Sequence, residues 1–396
     1  MILREHYIAK IRPFYDSDLI KIITGVRRCG KSVIKEQIEQ ELKSMGKPTL
    51  SLDFERLTVN ERIRTAADLV HYIVAHLGKA KTYVFLDEVQ LIEGWNEACR
   101  SLRIENLSLF ITGSNSKLLS KELTEAFSGR YVSFNVRPFV YREICEYARE
   151  TGNHRSITDY LIYGGFPKTI EFADKEAVLT YLNELDTQIV RNDIQRRYNV
   201  RKTALFERLV NYVLRSNSRI FSANSVVKFL KGQNLQVSVN TVMKYLHYLE
   251  EAYIIRTIPQ YQIKAKRELM FFAKVYNEDV AFNSIRQPEQ RYDLTHNLEN
   301  VVYNELIYMG YELSVFRSEA LEIDFYATKN GKKYLVQVAY SIADESTYNR
   351  EFALFNKMDQ SNSKIIITMD EADYSTSTVR HIPMKDFLLM TDLDGA

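Results

Sequence analysis

The first 112 residues alternate short apolar runs with stretches of helical periodicity. Four apolar runs predict buried strands at 19–25, 49–54, 81–86 and 107–112 because they are rich in β-branched and aromatic residues. A helical pattern from about 31 to 45 follows the first run, and helical stretches separate the others. Strands that alternate with helices indicate a parallel sheet covered on both faces. We therefore predict an α/β fold here.

The pattern changes after residue 140. Helical periodicity dominates from 141 to 252, interrupted by the turn sequence YGGFP at 163–167. Two β-rich runs, 253–261 and 269–276, then flank a basic tip. The remainder mixes helices and strands. The candidates there are a helix at 298–309, strands at 312–317, 322–328 and 334–339, a helix at 348–357 and a strand at 363–369.

Composition excludes several classes of protein. With 45% hydrophobic and 26% charged residues, the chain is too apolar to be disordered. No apolar run approaches the roughly 18 residues of a membrane helix, and the N-terminal segment lacks the pattern of a secretory signal. Three scattered cysteines, Cys29, Cys99 and Cys145, provide neither a disulfide framework nor a zinc site. We expect a cytoplasmic protein without a membrane partner.

Charge is distributed unevenly along the chain. Residues 1–190 carry 26 basic and 26 acidic side chains. Residues 191–275 carry 16 basic and 5 acidic side chains, whereas residues 276–396 carry 11 basic and 20 acidic ones. This asymmetry indicates a polyanionic partner for the middle segment, or else docking of that segment on the acidic last part of the same chain.

The sequence GVRRCGKS at 25–32 matches the phosphate-binding pattern GxxxxGK[ST] between an apolar strand and a helix. The glycines let successive N–H groups point inward, and these donors bind phosphate together with the helix N-terminus. Lys31 is expected to reach the β- and γ-phosphates, and the Ser32 hydroxyl to join the Mg²⁺ shell. The predicted nucleotide-binding residues are Gly25, Val26, Arg27, Arg28, Cys29, Gly30, Lys31, Ser32 and Val33.

A second apolar strand ends in adjacent carboxylates, Asp87 and Glu88. Ligands bind at the carboxyl edge of such sheets, so we predict that Asp87 binds Mg²⁺ beside Ser32 and that Glu88 polarises the attacking water. A third apolar strand precedes Asn115, whose amide would position water near the γ-phosphate or, alternatively, only cap a helix. ATP and Mg²⁺ are the expected cofactors.

These motifs resemble those of P-loop ATPases of the AAA superfamily, and more narrowly of the bacterial and archaeal ATPases that carry a C-terminal domain of unknown function. GVRRCGKS at 25–32 and VFLDEVQ at 84–90 carry the resemblance. The segments ITGSNSKLLS at 111–120, LTEAFSGRY at 123–131, RPF at 137–139 and YGGFP at 163–167 extend it.

The resemblance assigns a role to each residue of the predicted site. It implies that Lys31, Ser32, Asp87 and Glu88 are the Walker residues and Asn115 the sensor. Arg130 would be the arginine finger, acting in cis or on a neighbouring subunit of a homo-oligomer, where its charge would stabilise the transferring phosphoryl group. The alternative is that Arg130 only pairs with a carboxylate.

The basic middle segment has the pattern of a winged helix. Val242, Leu246 and Leu249 form one apolar face of a helix predicted at 238–251, and the run KAKR at 264–267 forms the tip of a wing. The outward-facing positions are Asn240, Thr241, Lys244 and His247. This pattern favours DNA contact through 205–275, with protein docking as the alternative.

The last part resembles a restriction-endonuclease-like core. Glu299 and Asp324 are candidates for a second metal site, and Glu322 shares a strand face with Asp324. An active nuclease would carry acid–any–Lys where this chain has Gln337-Val338-Ala339, and an amide is a weaker Mg²⁺ ligand than a carboxylate. We therefore predict a nuclease-like fold that does not cleave.

The predicted organisation has four segments. They are an ATPase core at 1–140, a helical lid at 141–204, a winged helix at 205–275 and a nuclease-like α/β domain at 276–396. The predicted function is ATP binding and slow hydrolysis that switches how the later segments engage DNA. The alternatives are a nucleotide-gated protein-interaction switch, or an ATP-dependent nuclease that recruits its lysine from elsewhere.

Overall fold

The computed structural model describes residues 2–113, 127, 129–261, 273–318, 321–356 and 362–394. The chain divides into two compact units, Met1–Pro138 with Glu251–Tyr253, and Phe139–Glu250 with Ile254–Ala396. The first division falls two residues before the predicted boundary at 140, and the three later predicted segments lie almost entirely in the second unit. Across the described residues, no helix has the length and apolar content needed to span a membrane.

A five-stranded parallel sheet forms the centre of the first unit. Its strands are β1 (Ile20–Thr24), β2 (Thr49–Asp53), β3 (Thr82–Asp87), β4 (Leu107–Thr112) and β5 (Tyr131–Asn135). Their order is β2-β3-β4-β1-β5, and every neighbouring pair is parallel. Every residue of β1, β3 and β4 is buried, as expected for strands covered on both faces. The predicted P-loop type of α/β fold is confirmed.

The helices of the first unit whose full extent the structure describes are α1 (Glu5–Ile11), α2 (Lys31–Ser44), α3 (Leu57–Asn60), α4 (Ala66–Ala75) and α5 (Trp95–Leu102). Helix α2 confirms the prediction at 31–45, and it buries Ile34, Ile38 and Leu42 at a spacing of four residues. This spacing places one apolar stripe against the sheet. The first turn of α2, immediately after β1, is thereby fixed at the carboxyl edge of the strands.

An eight-stranded mixed sheet forms the centre of the second unit. Its strands are β6 (Arg219–Phe221), β7 (Ile255–Tyr261), β8 (Ala273–Asn277), β9 (Glu312–Ser318), β10 (Leu321–Lys329), β11 (Lys332–Val338), β12 (Ser363–Thr368) and β13 (Arg380–Pro383). Their order is β13-β12-β11-β10-β9-β7-β8-β6. Strands β9, β10 and β11 are antiparallel, and β11, β12 and β13 are parallel.

The predicted boundary at 275/276 falls inside β8 and does not separate two sheets. Strands β7 and β8, which sequence analysis assigned to a wing, pair with each other in antiparallel fashion. Strand β7 also pairs with β9 in parallel, with Gln260 opposite Val315. The two β-rich runs therefore extend the sheet of the last segment. The predicted wing tip at 264–267 lies outside the described residues.

The described part of the second unit contains ten helices. They are α6 (Tyr141–Thr151), α7 (Ile157–Tyr163), α8 (Lys175–Gln188), α9 (Thr203–Arg215), α10 (Ala223–Gly232), α11 (Val239–Glu251), α12 (Ala281–Ser284), α13 (Leu294–Tyr308), α14 (Glu345–Asn356) and α15 (Met384–Phe387). Helix α8 continues as a π-helix over Ile189–Arg196. In α11 the predicted apolar face, Val242, Leu246 and Leu249, is buried.

The YGGFP sequence forms a tight turn around a buried carboxylate. Gly164 has φ +65, and a Cβ there would overlap the carboxylate of Asp279. A Cβ on Gly165 would overlap the carbonyl oxygen of Phe139. The N–H of Gly165 donates to Asp279 at 2.8 Å, and burial raises the pKa of Asp279 to about 6. Both glycines are therefore required by close approach of neighbouring atoms.

Gly165→Ala should destabilise the second unit. The added methyl group would meet a backbone oxygen that cannot move away freely, so we expect a loss of roughly 2–3 kcal/mol of unfolding free energy, measured by urea denaturation. Gly232→Ala is the matched control because a Cβ there meets no atom within 4 Å. Equal stability of the two variants would contradict the packing described for this turn.

Candidate nucleotide-binding site

The phosphate-binding loop (P-loop, residues 25–32) connects the carboxyl end of β1 to the first turn of α2. Gly25, Arg28 and Gly30 have φ values of +143, +65 and +103, which curl the backbone. Such alternation turns successive N–H groups toward one concave side, where they bind anions. The N–H groups in the first turn of α2 add to this side, since no preceding turn can accept from them.

The back of the P-loop is pressed against the chain that follows β5. A Cβ on Gly25 would overlap the carbonyl oxygen of Val136, so only glycine fits at this position. The thiol of Cys29 donates to the same carbonyl at 3.2 Å. Cys29 is thus a buried packing residue of the loop. These contacts with Val136 stabilise the loop conformation without a ligand.

A buried arginine from the N-terminal segment ties these two parts together. Arg4 is 2% exposed, and its guanidinium donates to the carbonyl of Cys29 at 2.9 Å and to the carbonyl of Arg137 at 3.0 Å. The guanidinium also lies 4.6 Å from the centroid of the Tyr7 ring. The role of Arg4 was not predicted, because no local pattern marks an arginine whose partners, Cys29 and Arg137, lie 25 and 133 positions further along the chain.

The predicted P-loop side chains occupy different environments. Lys31 is buried, and its ammonium donates to the carbonyls of Gly25 at 3.1 Å and Val26 at 2.9 Å. Its charge therefore lies beside the concave side of the loop. Ser32 and Arg28 are exposed, whereas Arg27 and Val33 are half-buried.

Asp87 and Glu88 lie beside the P-loop, as predicted. Asp87 ends β3, its carboxylate accepts a hydrogen bond from the hydroxyl of Thr112, and it lines the same cleft as Ser32. Glu88 follows in the left-handed region, with φ +53, and accepts from the amide of Gln90. Burial raises the pKa of the Glu88 carboxyl, while the Lys31 ammonium opposes this shift. Strained backbone of this kind is concentrated at functional sites.

A lysine that sequence analysis missed neutralises Asp87. Lys35, one turn after Lys31 on α2, places its ammonium 2.9 Å from the Asp87 carboxylate. Both side chains are almost fully buried. Two lysines and two carboxylates thus face one another at this edge of the sheet. The helical spacing of 31 and 35 was the signal that could have identified Lys35.

The donor set suits Mg²⁺ and the surrounding space suits a nucleotide. Carboxylate and hydroxyl oxygens, here those of Asp87 and Ser32, are the hard ligands that Mg²⁺ prefers. A cleft of about 360 Å³, lined by Ser32, Asp87 and Glu88, opens beside them, a size typical of small-molecule sites. Two buried oxygens have no hydrogen-bond partner among the described residues. They are Thr24 Oγ1, just before the P-loop, and Gln90 Oε1, two residues after Glu88.

Two further predicted residues lie away from this cleft or outside the described chain. Asn115 belongs to the residues that the structure does not describe. Arg130 immediately precedes β5, and its carbonyl accepts from the N–H of Ile20 at the start of β1. Arg130 is therefore at the amino edge of the parallel sheet, separated from the P-loop by a five-residue strand of roughly 16 Å. In this structure Arg130 therefore does not lie at the P-loop of its own chain, and its action as an arginine finger stays a prediction.

Glu299 and Asp324 lie together, but around a lysine ammonium. Lys274 from β8 is 2.8 Å from Asp324, 3.1 Å from Glu299 and 3.1 Å from Glu322. The Val338 N–H and the Tyr276 hydroxyl supply further donors to Asp324 and Glu299, and burial raises the pKa of Glu299 to about 8.

This donor set does not fit a second metal ion. The oxygens of Glu299 and Asp324 that would ligate a cation accept hydrogen bonds from an ammonium, a hydroxyl and an amide. Within the described ranges, no three His, Cys, Asp or Glu side chains are placed to hold a metal. The predicted second metal site is therefore corrected to an ion-pair cluster centred on Lys274.

Comparison with protein families divides the chain into three matched regions. Residues 17–145 match a family model described as an AAA domain. Residues 154–285 match a domain of unknown function, DUF8612, and residues 295–387 match another, DUF4143.

Two relatives match most of the chain. An uncharacterized protein of Haemophilus influenzae is 32% identical over 378 residues, which cover 93% of this chain and 93% of that protein. An uncharacterized protein of Methanocaldococcus jannaschii is 27% identical over 380 residues, covering 89% and 82% respectively. A Walker-type ATPase of Pyrococcus abyssi is similar in fold, with a TM-score of 0.50 at 15% identity, over 72% of this chain and 96% of that one.

Arg4→Met should loosen the P-loop. The substitution removes two charge-assisted hydrogen bonds, so we expect a loss of about 2 kcal/mol of unfolding free energy and a weaker affinity for a fluorescent ADP analogue. The control is Arg12→Met, which removes an arginine paired with Glu5 and Glu41 on the partly exposed surface. If both variants bound ADP equally well, Arg4 would have no role in shaping the loop.

Lys35→Met should leave a buried carboxylate without its partner. We expect a loss of about 3 kcal/mol of unfolding free energy in urea, because breaking a buried ion pair costs more than forming it gains. Adding Asp87→Asn should restore much of that stability. Lys43→Met, which breaks a surface pair with Glu39, should cost at most about 1 kcal/mol. A double variant no more stable than Lys35→Met would refute the pairing.

Proposed function

We propose that this chain binds and hydrolyses ATP. The chain belongs to the same family as the uncharacterized Haemophilus influenzae protein, and it carries a P-loop AAA-type domain. One observation carries the proposal. Ser32 at the end of the P-loop lines the same cleft as Asp87, the last residue of β3, and Glu88, which follows it. Phosphate-binding groups and the acid pair therefore meet at one point of the sheet edge, as phosphoryl transfer to water requires.

Each residue of the nucleotide-binding site has a separate role in this proposal. The curled backbone at 25–32 and the Lys31 ammonium bind the phosphates, since both present positive charge to the same concave side. Ser32 and Asp87 hold Mg²⁺, which when bound neutralises charge on the phosphates. Glu88 orients a water molecule and accepts its proton. The Asn115 amide assists as the sensor, and Arg130 of a neighbouring subunit completes the site in a homo-oligomer.

The nucleotide state is proposed to control engagement of DNA by residues 205–275. Support comes from the charge of residues 191–275, which carry 16 basic and 5 acidic side chains. The outward positions Asn240, Lys244 and His247 on α11 are exposed, as contact with DNA requires. A winged-helix mode of binding is part of this proposal. A nucleotide-gated protein-interaction switch is the alternative, and loss of affinity with rising salt favours the DNA function.

DNA cleavage is not part of the proposal. The ammonium of Lys274 lies among Glu299, Glu322 and Asp324, where a nuclease would bind Mg²⁺. Gln337 donates its amide to Glu351 and contributes no charge. This cluster supports a role in joining β8 to β10 and α13. A nuclease-like ancestry of the fold is compatible with that role.

Lys31→Ala and Glu88→Gln separate binding from turnover. Lys31→Ala should weaken ATP binding about tenfold or more, because a charge-assisted contact to phosphate is lost. Glu88→Gln should bind ATP as the unaltered chain does but hydrolyse it about a hundredfold more slowly, since the proton acceptor is gone. Phosphate release and analogue binding are the measurements, with the exposed Glu61→Gln as control. Undiminished turnover in both variants would refute the assignment.

A further inference from the structure

A basic stripe runs along the outer face of α9. The residues Arg208, Asn211, Tyr212 and Arg215 recur at intervals of three and four, so they share one side of the helix. The opposite side is apolar and buried, as Leu209 and Val213 show. Arg208 and Arg215 are exposed. Packing of the helix therefore accounts for the apolar face and leaves the basic face unexplained.

A groove of about 450 Å³ is formed along this stripe. Arg219 from β6 and Phe229 from α10 contribute to its walls. Phe229 is 50% exposed, although large aromatic side chains are normally buried, and its ring centroid lies 5.6 Å from that of Tyr212. The groove thus combines two aromatic rings, inclined at 35° to each other, with arginines along its walls.

The charge of the groove is positive. Arg208, Arg215 and Arg219 line it, against the single carboxylate of Asp293. That carboxylate is already engaged by the ring of His296 at 2.8 Å and by Arg219 at 3.6 Å. Within the described part of the chain, Arg215 forms no ion pair with a carboxylate. Its guanidinium is positioned to meet an anion from solution.

We propose that this groove binds single-stranded nucleic acid. Arginines would contact the phosphates, and an unpaired base would stack on Phe229 beside Tyr212. A duplex hides its base faces and cannot use the aromatic surface, so the groove favours a single strand. The inference rests on the proposed DNA function and deepens it, since it adds the face formed by α9 and α10 to the proposed contact through α11.

The test compares binding of a labelled oligothymidylate of about 15 nucleotides and of a duplex of equal length to the full chain, by fluorescence anisotropy over a salt series. The unaltered chain should bind the single strand more tightly. Phe229→Ala should weaken this binding about tenfold without changing its salt dependence, because stacking is lost and charge is not. Arg215→Gln should reduce the slope of log K against log salt by about 0.7.

Lys228→Gln is the matched control, because it removes one charge from an exposed residue of α10 that does not line the groove. It should affect the affinity less than Arg215→Gln does. Equal effects of Lys228→Gln and Arg215→Gln, with no effect of Phe229→Ala, would contradict binding in the groove. The proposed DNA function would still stand. Preference for the duplex would overturn the single-strand assignment.

Absence of binding to both nucleic acids would overturn the inference together with the DNA part of the proposed function. ATP turnover, measured on the same samples, tests the P-loop separately. Because Phe229 is half exposed, its substitution should leave the thermal unfolding midpoint unchanged. A lowered midpoint with wild-type affinity would assign Phe229 to packing and contradict the proposal.

Discussion

The P-loop has no room for a side chain at Gly25, because the carbonyl oxygen of Val136 fills that space. This contact determines the rest of the site. It joins β1 to the segment after β5, and Arg4 holds the same two parts together through carbonyls of Cys29 and Arg137. The loop is therefore curled by packing within the protein, and its N–H groups are oriented in advance for an anion.

Lysine side chains neutralise buried carboxylates in both acidic clusters, the one at the edge of the parallel sheet and the one around Lys274. Lys31 and Lys35 face Asp87 and Glu88 beside an open cleft. Lys274 faces three carboxylates in a largely buried cluster. Buried carboxylates need a cation or a proton. In the first cluster a ligand can enter and redistribute the charges, whereas the second serves to hold strands and helix together.

Local pattern was sufficient for the first four strands and the P-loop, but not for β5, β6 and β13 or for contacts distant in sequence. The run at 107–112 and the helix at 31–44 were predictable because buried strands and amphipathic helices carry their periodicity in consecutive residues. The role of Arg4 was not, since it depends on carbonyls brought near only by the fold. The location of Arg130 was not predicted, because no strand was expected at 131–135, and it is this strand that places Arg130 at the edge opposite the P-loop. Pairing of β7 with β9 joined two segments that composition had separated.

A crystal structure of the full chain with Mg²⁺ and a non-hydrolysable ATP analogue tests the central claim most directly. We expect the triphosphate against the backbone N–H groups of 25–32, with the Lys31 ammonium turned from the carbonyls of Gly25 and Val26 onto phosphate. We also expect the metal between Ser32 and Asp87. An analogue bound in another cavity, with these side chains unmoved, would contradict the account.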